Sequence, residues 1–391
     1  MPVANQPSPD IIDTLRLVRT EGVGPITYRR LIGRYGTASA ALAALPSLTR
    51  AGGRVKLPNT PSVAEASEEM ARVAALGGQY LFIGTPDYPP LMALLDDAPP
   101  CLMVLGDAAL LHRPAIAVVG GRNASANGQR LAEILAGDLA ASLVVISGLA
   151  RGIDAAAHKG ALRCGKTIAA IAGGLDVPYP PGHEELQHLI ARSGAVVTES
   201  PPGTVPQARH CPRRNPIIAG LALGVVVIEA APRSGSLITA GIAQDLGREV
   251  FAVPGSPQDP RSRGANDLLR QGAIMTESAA DVLSNLPSLA HDSFDQPIVR
   301  TASVMGAATS ENRQPAGNDS GPEVREAVLA LLGPTPTAVD DLLRRCQFSA
   351  AAVMAVLLEL ELAGGVDTLP GNRVALSQSP ASPLFSTDAH V

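Results

Sequence analysis

The sequence predicts an α/β protein whose core is a doubly wound, Rossmann-like parallel sheet, flanked by an N-terminal helical domain and a small C-terminal domain. Three observations predict this fold class. Short apolar runs alternate with helix-length segments from residue 115 to residue 276. Most of these runs are continuously apolar, as expected for strands that helices cover on both faces. With 391 residues, 46% of them hydrophobic, the chain is also long enough for two or three domains.

Residues 1–78 are expected to form the N-terminal helical domain. Apolar residues have helical spacing in 11–18 and again in 26–35, on either side of a Gly22-Val23-Gly24-Pro25 turn. A short Gly-x-Gly turn between two helices resembles a helix-hairpin-helix (SAM-like) element, whose backbone amides can hold a phosphate. A plain αα-hairpin would give the same pattern. A further short helix is expected at 63–76.

The Rossmann-like domain is expected at residues 79–286, with a short strand at 101–106 that extends its sheet. The predicted parallel strands are Ala115–Val119, Leu143–Ile146, Thr167–Ala172, Ala195–Thr198, Gly224–Ile228 and Glu249–Val253, with a weaker one at Ala273–Thr276. The predicted helices are 126–141, 153–164, 183–193, 213–222, 235–246 and 264–271. This alternation predicts parallel strands joined by right-handed crossovers.

The composition changes after the core. Residues 287–321 are rich in Ser, Ala, Asn, Asp, Gly and Pro and lack periodicity, so they are expected to be a flexible linker. Residues 322–377 then show three helical stretches and a possible hairpin around Pro370-Gly371-Asn372, which together suggest a winged-helix domain. Residues 378–391 are expected to be a disordered tail.

The composition excludes several classes of function. The formal net charge is −5, so a nucleic-acid site must be a local patch. The four cysteines are far apart, which argues against a zinc site and is typical of a cytoplasmic protein with reduced thiols. No signal peptide or membrane span is recognisable. Neither a P-loop nor a complete G-x-G-x-x-G pattern occurs, so no nucleotide cofactor, and no cofactor of another kind, is expected.

Glycine, serine and arginine concentrate just after the predicted strands, where ligands bind in an open parallel sheet. Glycine lets a phosphate approach the backbone, and the guanidinium of arginine matches phosphate oxygens. Residues 204–270 carry eight arginines and five acidic residues, +3 in a chain that is −5 overall. A row of such loops is typical of a site for a phosphodiester chain, although a solvated helix face could give the same bias.

Several residues in these loops have plainer interpretations. Arg122 could cap a helix or pair with an acid, and His158 on an Ala-rich helix is more often a packing residue than a catalyst. Asp154 is more often a charge at a helix start than a base, and Asp176 and Glu229 are candidates for arginine partners. No Ser–His–Asp set or paired-carboxylate spacing stands out, so the chain is not expected to be an enzyme.

Four loop motifs occur in one order along the core. They are Ser147-Gly148-x-Ala150-x-Gly152-Ile153-Asp154, Arg214-Asn215-x-Ile217-Ile218-Ala219-Gly220-Leu221, Arg233-Ser234-Gly235-Ser236-Leu237-Ile238-Thr239 and Pro254-Gly255-Ser256. Together they resemble the DNA-processing protein A family, also called DprA or Smf, over about residues 80–285. The resemblance implies a protein that binds and protects single-stranded DNA in a basic groove and dimerises through its Rossmann-like domain. It also implies loading of the recombinase RecA onto incoming strands in natural transformation.

The same resemblance implies roles for particular residues. The family's Gly-Ser-Arg turn corresponds to Gly120-Gly121-Arg122, so Arg122 inherits a phosphate contact, and Arg214 and Asn215 inherit a place in the same groove. The residues expected to bind DNA are Gly120, Gly121, Arg122, Ser147, Gly148, Arg151, Lys166, Gly174, Arg213, Arg214, Asn215, Arg233, Ser234, Gly235 and Ser236.

The chain departs from the family pattern at three positions. Gly121 replaces the usual Ser or Thr, Pro181 stands where relatives can carry a basic residue, and Cys211 replaces the usual Phe before Pro212. These departures bear on DNA affinity, and Lys166 and Arg213 could compensate for them.

Two other functions remain open. Enzymes on a related Rossmann-like fold cleave the N-glycosidic bond of nucleoside phosphates and carry Pro-Gly-Gly-x-Gly-Thr-x-x-Glu before a helix. Here the corresponding turn begins at Arg233 and has no Glu in the catalytic position. A pure interaction scaffold, with the winged helix as its working part, is the other alternative.

Overall fold

The computed structural model describes residues 9–53, 57–207, 210–286, 321–369 and 371–377. They belong to two compact units. One unit lies within Ser67–Leu289, and the other combines Met1–Ala66 with Ala290–Val391. The predicted tail, and the predicted linker up to residue 320, lie outside the described residues, so both stay predictions, as do the domain boundaries.

The described residues form fifteen α-helices. They are α1 (Pro9–Val18), α2 (Pro25–Tyr35), α3 (Ala38–Ala51), α4 (Val63–Ala75), α5 (Pro90–Ala93), α6 (Ala126–Ala140), α7 (Ile153–Cys164), α8 (Glu184–Ser193), α9 (His210–Leu221), α10 (Gly235–Asp245), α11 (Arg263–Arg270), α12 (Ala279–Asn285), α13 (Gly321–Leu331), α14 (Val339–Arg345) and α15 (Ala350–Leu362).

The strands form two sheets. They are β1 (Gly78–Phe82), β2 (Cys101–Gly106), β3 (Ala115–Gly120), β4 (Val144–Ser147), β5 (Thr167–Ala170), β6 (Ala195–Thr198), β7 (Gly224–Ile228), β8 (Glu249–Ala252), β9 (Ile274–Met275), β10 (Thr337–Ala338), β11 (Val366–Leu369) and β12 (Arg373–Leu376).

The larger sheet has nine strands in the order β1-β2-β6-β5-β4-β3-β7-β8-β9. The seven strands from β6 to β9 in this order run parallel to one another. Strands β1 and β2 are added antiparallel at one edge. From β3 the chain winds outward through β4, β5 and β6, and then returns to build β7, β8 and β9 on the other side. The sheet therefore reverses its winding between β3 and β7.

Both faces of this sheet are covered, as continuously apolar strands require. Alternate residues of β3 point to opposite faces: Val119 belongs to one buried cluster and Val118 to the other. Helices α9 and α10 cover the first face with residues such as Ile217 and Ala240. Helices α6 and α7 cover the second, with residues such as Leu135. The predicted doubly wound α/β core is confirmed, and the 101–106 strand extends the sheet as expected.

Two elements differ from the prediction. Strand β1 was not predicted; it lies at the start of the segment assigned to the Rossmann-like domain and pairs with β2 from Gly78 opposite Leu105 to Phe82 opposite Cys101. Helix α3 was not distinguished within the helical region. It contains Pro46, but Thr37 caps its start by accepting a hydrogen bond from the Ala40 amide.

The second unit contains a winged helix, as predicted. Helices α13, α14 and α15 enclose a core that includes Val328, Leu342 and Leu357, and β10, β12 and β11 form a three-stranded sheet beside it. Pro370, part of the expected wing turn, lies outside the described residues. In the same unit, α15 packs against α2 and α3.

Two further features concern the chain as described. No helix among these residues is both long enough and apolar enough to cross a membrane. No disulfide bond joins the cysteines that the structure describes.

Candidate nucleic-acid interface

The reversal between β3 and β7 creates a crevice at the carboxyl ends of these strands. Because the two strands are neighbours, the turn after β3 and the loop after β7 lie side by side, and the Gly121 amide donates a hydrogen bond to the Ile228 carbonyl over 3.3 Å. Open α/β sheets bind their ligands at such a point, because adjacent crossovers leave it uncovered. The fold therefore indicates where a ligand site should lie.

A cavity of about 470 Å³ occupies this crevice. Loops after β3 and β7 and the helices α9 and α10 supply its walls. The lining residues include Gly120, Gly121, Arg122, Asn123, Asp154, Arg214, Asn215, Glu229, Arg233, Ser234, Gly235, Ser236 and Arg261. Most are the polar or glycine residues that phosphate-binding loops use.

A second cavity of about 240 Å³ adjoins the first. More than half of its lining residues are apolar, among them Ile171, Val177, Tyr179 and Pro206. Four residues line both cavities, namely Arg122, Asn123, Ala150 and Arg214. The site therefore consists of one chamber lined mainly by glycine and polar residues and one lined mainly by apolar residues, and the two meet at Arg122 and Arg214.

The charge of the two chambers is positive. Five arginines line them, Arg122, Arg151, Arg214, Arg233 and Arg261, against two carboxylates, Asp154 and Glu229, which leaves a formal charge of +3 where the whole chain has −5. Arg122, Arg151, Arg233 and Arg261 are exposed, so they can reach a ligand from solvent. The crevice thus has a positive local potential although the net charge of the chain is negative.

Arg214 is the most buried of these arginines, with 7% of its surface exposed. Its Nη1 donates to the carbonyl oxygen of Ala170 at 2.5 Å, which fixes the guanidinium beneath the point where the chambers meet. Gly148 leaves room for it: a Cβ at that position would lie 2.0 Å from Arg214 Nη1. A glycine at position 148 therefore leaves the space that the Arg214 guanidinium occupies.

Asp154 organises the turn between β4 and α7. Its Oδ2 accepts hydrogen bonds from the amides of Gly148 and Ala150, at 3.2 and 3.3 Å. Burial raises the pKa of this carboxyl, while Arg214, the two amides and Arg122 oppose the rise. Asp154 thus holds the amides of this turn at the start of α7, next to two arginines of the site.

Glu229 closes the amino end of α6. Its carboxylate accepts hydrogen bonds from the Ser125 amide at 2.7 Å and from the Ser125 hydroxyl at 2.5 Å. Gly128 leaves space for it, since a Cβ there would lie 2.4 Å from Glu229 Cδ. The carboxylate thus accepts an amide and a hydroxyl hydrogen at a helix start, where nucleotide-binding proteins of this fold class place a phosphate.

The start of α10 forms another wall. Ser234 caps the helix by accepting from the Ser236 amide at 3.4 Å, and the two hydroxyls lie 2.7 Å apart. Asn215 Nδ2 donates to the Gly235 carbonyl at 3.3 Å and so ties α9 to this turn. The Arg233-Ser234 loop is therefore held in place, while the guanidinium of Arg233 stays exposed.

His158 is a packing residue. Its ring is fully buried, and Nδ1 lies 2.7 Å from the Thr167 hydroxyl. That hydroxyl donates its only proton to the Val145 carbonyl, so Nδ1 must carry the proton on the ring. Burial, with Arg214 and His183 nearby, lowers the pKa of His158 to about 3, so the ring is neutral.

Eleven of the fifteen predicted site residues line the two chambers. The other four do not. Ser147 is buried and donates to the Val118 carbonyl, and Gly174 packs against Asp176, while its neighbour Gly173 lines the smaller chamber. Arg213 is exposed on α9 outside both chambers. Lys166 precedes β5, at the opposite end of the sheet, and its Nζ donates to the Ser193 carbonyl.

Sequence reasoning missed several lining residues. Asn123, Tyr179, Pro206 and Arg261 were not chosen, although the first lies beside Arg122 in the chain. Asp176 was expected to pair with an arginine, and it does so with Arg72 at 3.1 Å. The side chain of Cys211, one of the departures from the family pattern, lies outside the described part of the chain.

The lining consists mainly of glycine, arginine, serine and apolar residues, with two carboxylates. It contains no histidine, lysine or cysteine among the residues that the structure describes. Both lining carboxylates already accept two hydrogen bonds from the protein. No group of three His, Cys, Asp or Glu side chains that could hold a metal ion occurs in the described segments.

Comparison with known proteins was made at the level of families, sequences and structures. A model of "DNA recombination-mediator protein A" matches residues 79–287. Models of a DprA-like N-terminal helix-hairpin-helix domain and of a DprA winged-helix domain match residues 9–71 and 312–372. Each part of the chain thus has a counterpart in one family.

Individual relatives agree with this result. Protein Smf of Escherichia coli is 40% identical over 295 residues, which cover 75% of this chain and 76% of that protein. DNA processing protein DprA of Streptococcus pneumoniae is 47% identical over 198 residues, 50% of this chain and 70% of that protein. The crystal structure of the S. pneumoniae protein superposes with a TM-score of 0.61 at 33% identity, covering 72% of this chain and 99% of that one. The family model alone spans more than half of the sequence, and the order of the loop motifs agrees with it, so the chain belongs to the DNA processing protein A (DprA/Smf) family.

Proposed function

We propose that this protein binds single-stranded DNA in the two joined chambers and does not transform it chemically. The observation that carries the proposal is the pair of arginines, Arg122 and Arg214, at the junction of a chamber lined mainly by glycine and polar residues and a chamber lined mainly by apolar residues. A single DNA strand could use both chambers, because a charged phosphate and a largely apolar base face alternate along it.

The larger chamber suits the backbone of the strand. Its glycines allow close approach, and exposed arginines on opposite walls, Arg122 and Arg233, can each meet a phosphate. Because Glu229 already satisfies the start of α6, the phosphates would depend on arginine side chains rather than on that helix. Binding dominated by arginine and phosphate should be tolerant of sequence and sensitive to salt.

The smaller chamber suits an unstacked base. Tyr179 has 43% of its surface exposed, and with Ile171 and Pro206 it provides flat and apolar walls. A base held in a duplex is stacked and paired, so it would have to be flipped out at a cost of a few kcal/mol before it could enter. The chamber therefore favours single strands over duplex DNA.

The enzymatic alternative lacks its reactive group. N-glycosidases of the related fold use a carboxylate near the start of the helix that corresponds to α10, and this segment of the chain holds Leu237, Ile238 and Thr239 instead. The two carboxylates that do line the site are engaged by amides and a hydroxyl. Neither is placed to act as a free general base.

The further steps of the proposal concern partners. The family is described as a recombination mediator, which supports a role in passing the bound strand to the recombinase RecA and in protecting it during transformation. A homodimer through the Rossmann-like domain is supported by strand β9. Among the residues that the structure describes, this edge strand pairs with β8 alone, and 58% of the surface of its Met275 is exposed.

Fluorescence anisotropy with labelled single-stranded and duplex oligonucleotides, at two salt concentrations, tests the proposal. We expect a single-strand preference that weakens as salt rises, and faster nucleation of RecA filaments on the bound strand. Absence of binding at low salt would overturn the proposal. Replacing Arg344 and Arg345 of the winged helix by alanine tests the scaffold alternative, because only that alternative expects single-strand affinity to fall.

A further inference from the structure

In the second compact unit, helix α15 occupies the position of a DNA-reading helix but carries negative charge. In helix-turn-helix proteins that read DNA, the second helix of the pair enters the major groove. That helix here is α15, and its only charged residues are Glu359 and Glu361. A helix with two negative charges and no positive one is repelled by phosphates, so α15 is suited to another partner.

The N-terminal helices contact α15 through a buried polar cluster. The Thr27 hydroxyl of α2 donates to Glu361 Oε1 at 2.7 Å, and Arg30 Nη1 of the same helix donates to Glu361 Oε2 at 3.2 Å. Arg30 also reaches the hydroxyl of Thr368 on β11 at 3.4 Å. The side chains of Arg30 and Glu361 are only 13% and 11% exposed, so solvent screens this ion pair weakly.

The end of α3 provides a second point of contact. Arg325 of α13 donates through Nη2 to the Gly52 carbonyl at 2.8 Å and through Nη1 to the Ala51 carbonyl. These are terminal carbonyls of α3, which have no acceptor role within the helix and attract positive charge. The backbones approach closely here, since a Cβ on Gly52 would lie 2.1 Å from the Glu359 carbonyl oxygen.

We propose that α15 is a docking helix for the chain's own N-terminal helices, so that the two domains act as one module and α15 does not read duplex DNA. The contact uses the acidic residues of α15, which DNA binding could not use. It also uses Thr27 and Arg30 from the start of α2, next to the Gly-x-Gly turn. This proposal is independent of the single-strand site, because none of its residues lines the chambers.

A distance measurement on the full chain tests the docking. Spin labels attached through non-natural amino acids at Ser47 on α3 and Asp367 on β11, both exposed, report the separation of the two domains by electron–electron double resonance. We expect one narrow distance distribution in the otherwise unchanged protein. A broad distribution would overturn the proposal, because it would show that the domains move independently.

Two substitutions perturb the contact from different sides. Gly52→Leu places a side chain where the Glu359 carbonyl lies and should broaden the distribution, whereas Gly33→Leu, at an exposed glycine of α2 with nothing within 4 Å, should not. Arg30→Met leaves Glu361 buried without its ion partner and should shift the equilibrium towards the undocked state by on the order of a hundredfold. Adding Glu361→Gln should restore the narrow distribution. If Gly52→Leu and Arg30→Met both leave the distances unchanged, α15 is not held by this surface.

Duplex DNA provides the remaining test. Adding a duplex oligonucleotide should leave the narrow distribution as it is, whether or not single strands bind elsewhere. A broad or longer distribution on addition would make duplex DNA a competing occupant of α15 and would contradict the proposal.

Discussion

Three residues around the site adopt a backbone conformation that L-amino acids rarely use. Leu149, Glu229 and Arg233 have φ angles of 57°, 47° and 65°. Each such residue costs on the order of 1–3 kcal/mol unless its surroundings hold it, and such residues cluster at functional sites. Hydrogen bonds hold two of them: Asp154 binds the amides on either side of Leu149, and Ser125 binds the carboxylate of Glu229. Part of the stability of the fold is thus used to keep the site in one shape.

Arg122 is the residue whose loss should weaken binding most clearly. Arg122→Ala removes a charged donor at the junction of the chambers, which should reduce single-strand affinity by about 1–3 kcal/mol. The slope of log affinity against log salt should also fall by about 0.7, the value for one phosphate contact fewer. Anisotropy titrations at four salt concentrations measure both quantities.

The matched control is Arg163→Ala, because Arg163 is an exposed arginine in the last turn of α7, where it pairs with Glu133. It should bind DNA as the unchanged protein does. A folded Arg122→Ala variant with unchanged affinity and slope would remove this residue from the interface.

His158 should make the Rossmann-like unit sensitive to acid. Its pKa is about 3 in the folded chain because the buried ring resists protonation, whereas the ring in the unfolded chain is protonated below about pH 6.5. The unfolded state therefore gains protons, and the fold loses stability, as the pH falls from 6.5 towards 3. At pH 5 the loss from this group should be about 2 kcal/mol relative to pH 7.

Native-state hydrogen exchange of β4 and β5 amides at pH 7 and pH 5 measures this effect. His158→Gln should lose less stability between these pH values than the unchanged protein, even if it is less stable at pH 7. The exposed His188 on α8 is the control, and His188→Gln should keep the original dependence. Equal pH dependence in His158→Gln and the unchanged protein would show that another group is responsible. The raised pKa of Asp154 acts in the opposite direction, which is why the variants are compared with each other.

At the scale of elements, the turn between β4 and α7 couples two parts of the site. Gly148→Ala places a Cβ 2.0 Å from the Nη1 of Arg214, so the guanidinium must move from its position on the Ala170 carbonyl. We expect single-strand affinity to fall by about 1–3 kcal/mol, as for loss of a charged hydrogen bond. Gly241→Ala, in α10 with nothing within 4 Å, should leave affinity unchanged. Affinity unchanged in both variants would show that the position of Arg214 does not matter for binding.

The sequence predicted most elements of the core because its parallel strands are continuously apolar and its helices have regular spacing. Strand β1 was missed because its five residues follow α4 after a gap of only two, and its partner β2 is antiparallel and begins after a further 18 residues. Such a pairing is a tertiary contact, which local patterns do not report. Helix α3 was hidden by Pro46, which lowers helix propensity although the surrounding structure accommodates it.

The site was predicted less completely than the core, because only its residues near strand ends follow from a sequence pattern. Gly120 ends a strand, and Arg122 and Ser234 follow strands, so the topology of an open sheet brings them together. Lys166 was named as a charge that could compensate for the departures from the family pattern, but it precedes β5, whose start at Thr167 was predicted correctly, so it lies at the other end of the sheet. Tyr179, Pro206 and Arg261 come from long loops whose paths depend on packing, so no periodic pattern indicated them.

At the scale of the whole molecule, the proposed dimer should depend on the exposed edge of the sheet. A two-fold axis beside β9 would pair this strand with its own copy and remove an unpaired edge. Met275→Glu puts a charge there and should weaken self-association by about thirtyfold, the effect of losing a central interface contact. Ile134→Glu, on α6 with 52% of Ile134 exposed, is the control. Analytical ultracentrifugation measures both, and a Met275→Glu variant that dimerises normally would place the interface elsewhere.

The contact between α2 and α15 has a consequence for synthesis of the chain. Arg30 and Glu361 are 331 positions apart, and at roughly 5–20 residues per second the ribosome needs on the order of half a minute to make the second after the first. During that interval the N-terminal helices rely on their own small core, which includes Leu15, Leu31 and Leu45, while the Rossmann-like unit is made and can fold. The surface of the N-terminal helices that contacts α15 therefore stays uncovered until the winged helix has been synthesised. During that time it is accessible to chaperones or neighbouring chains.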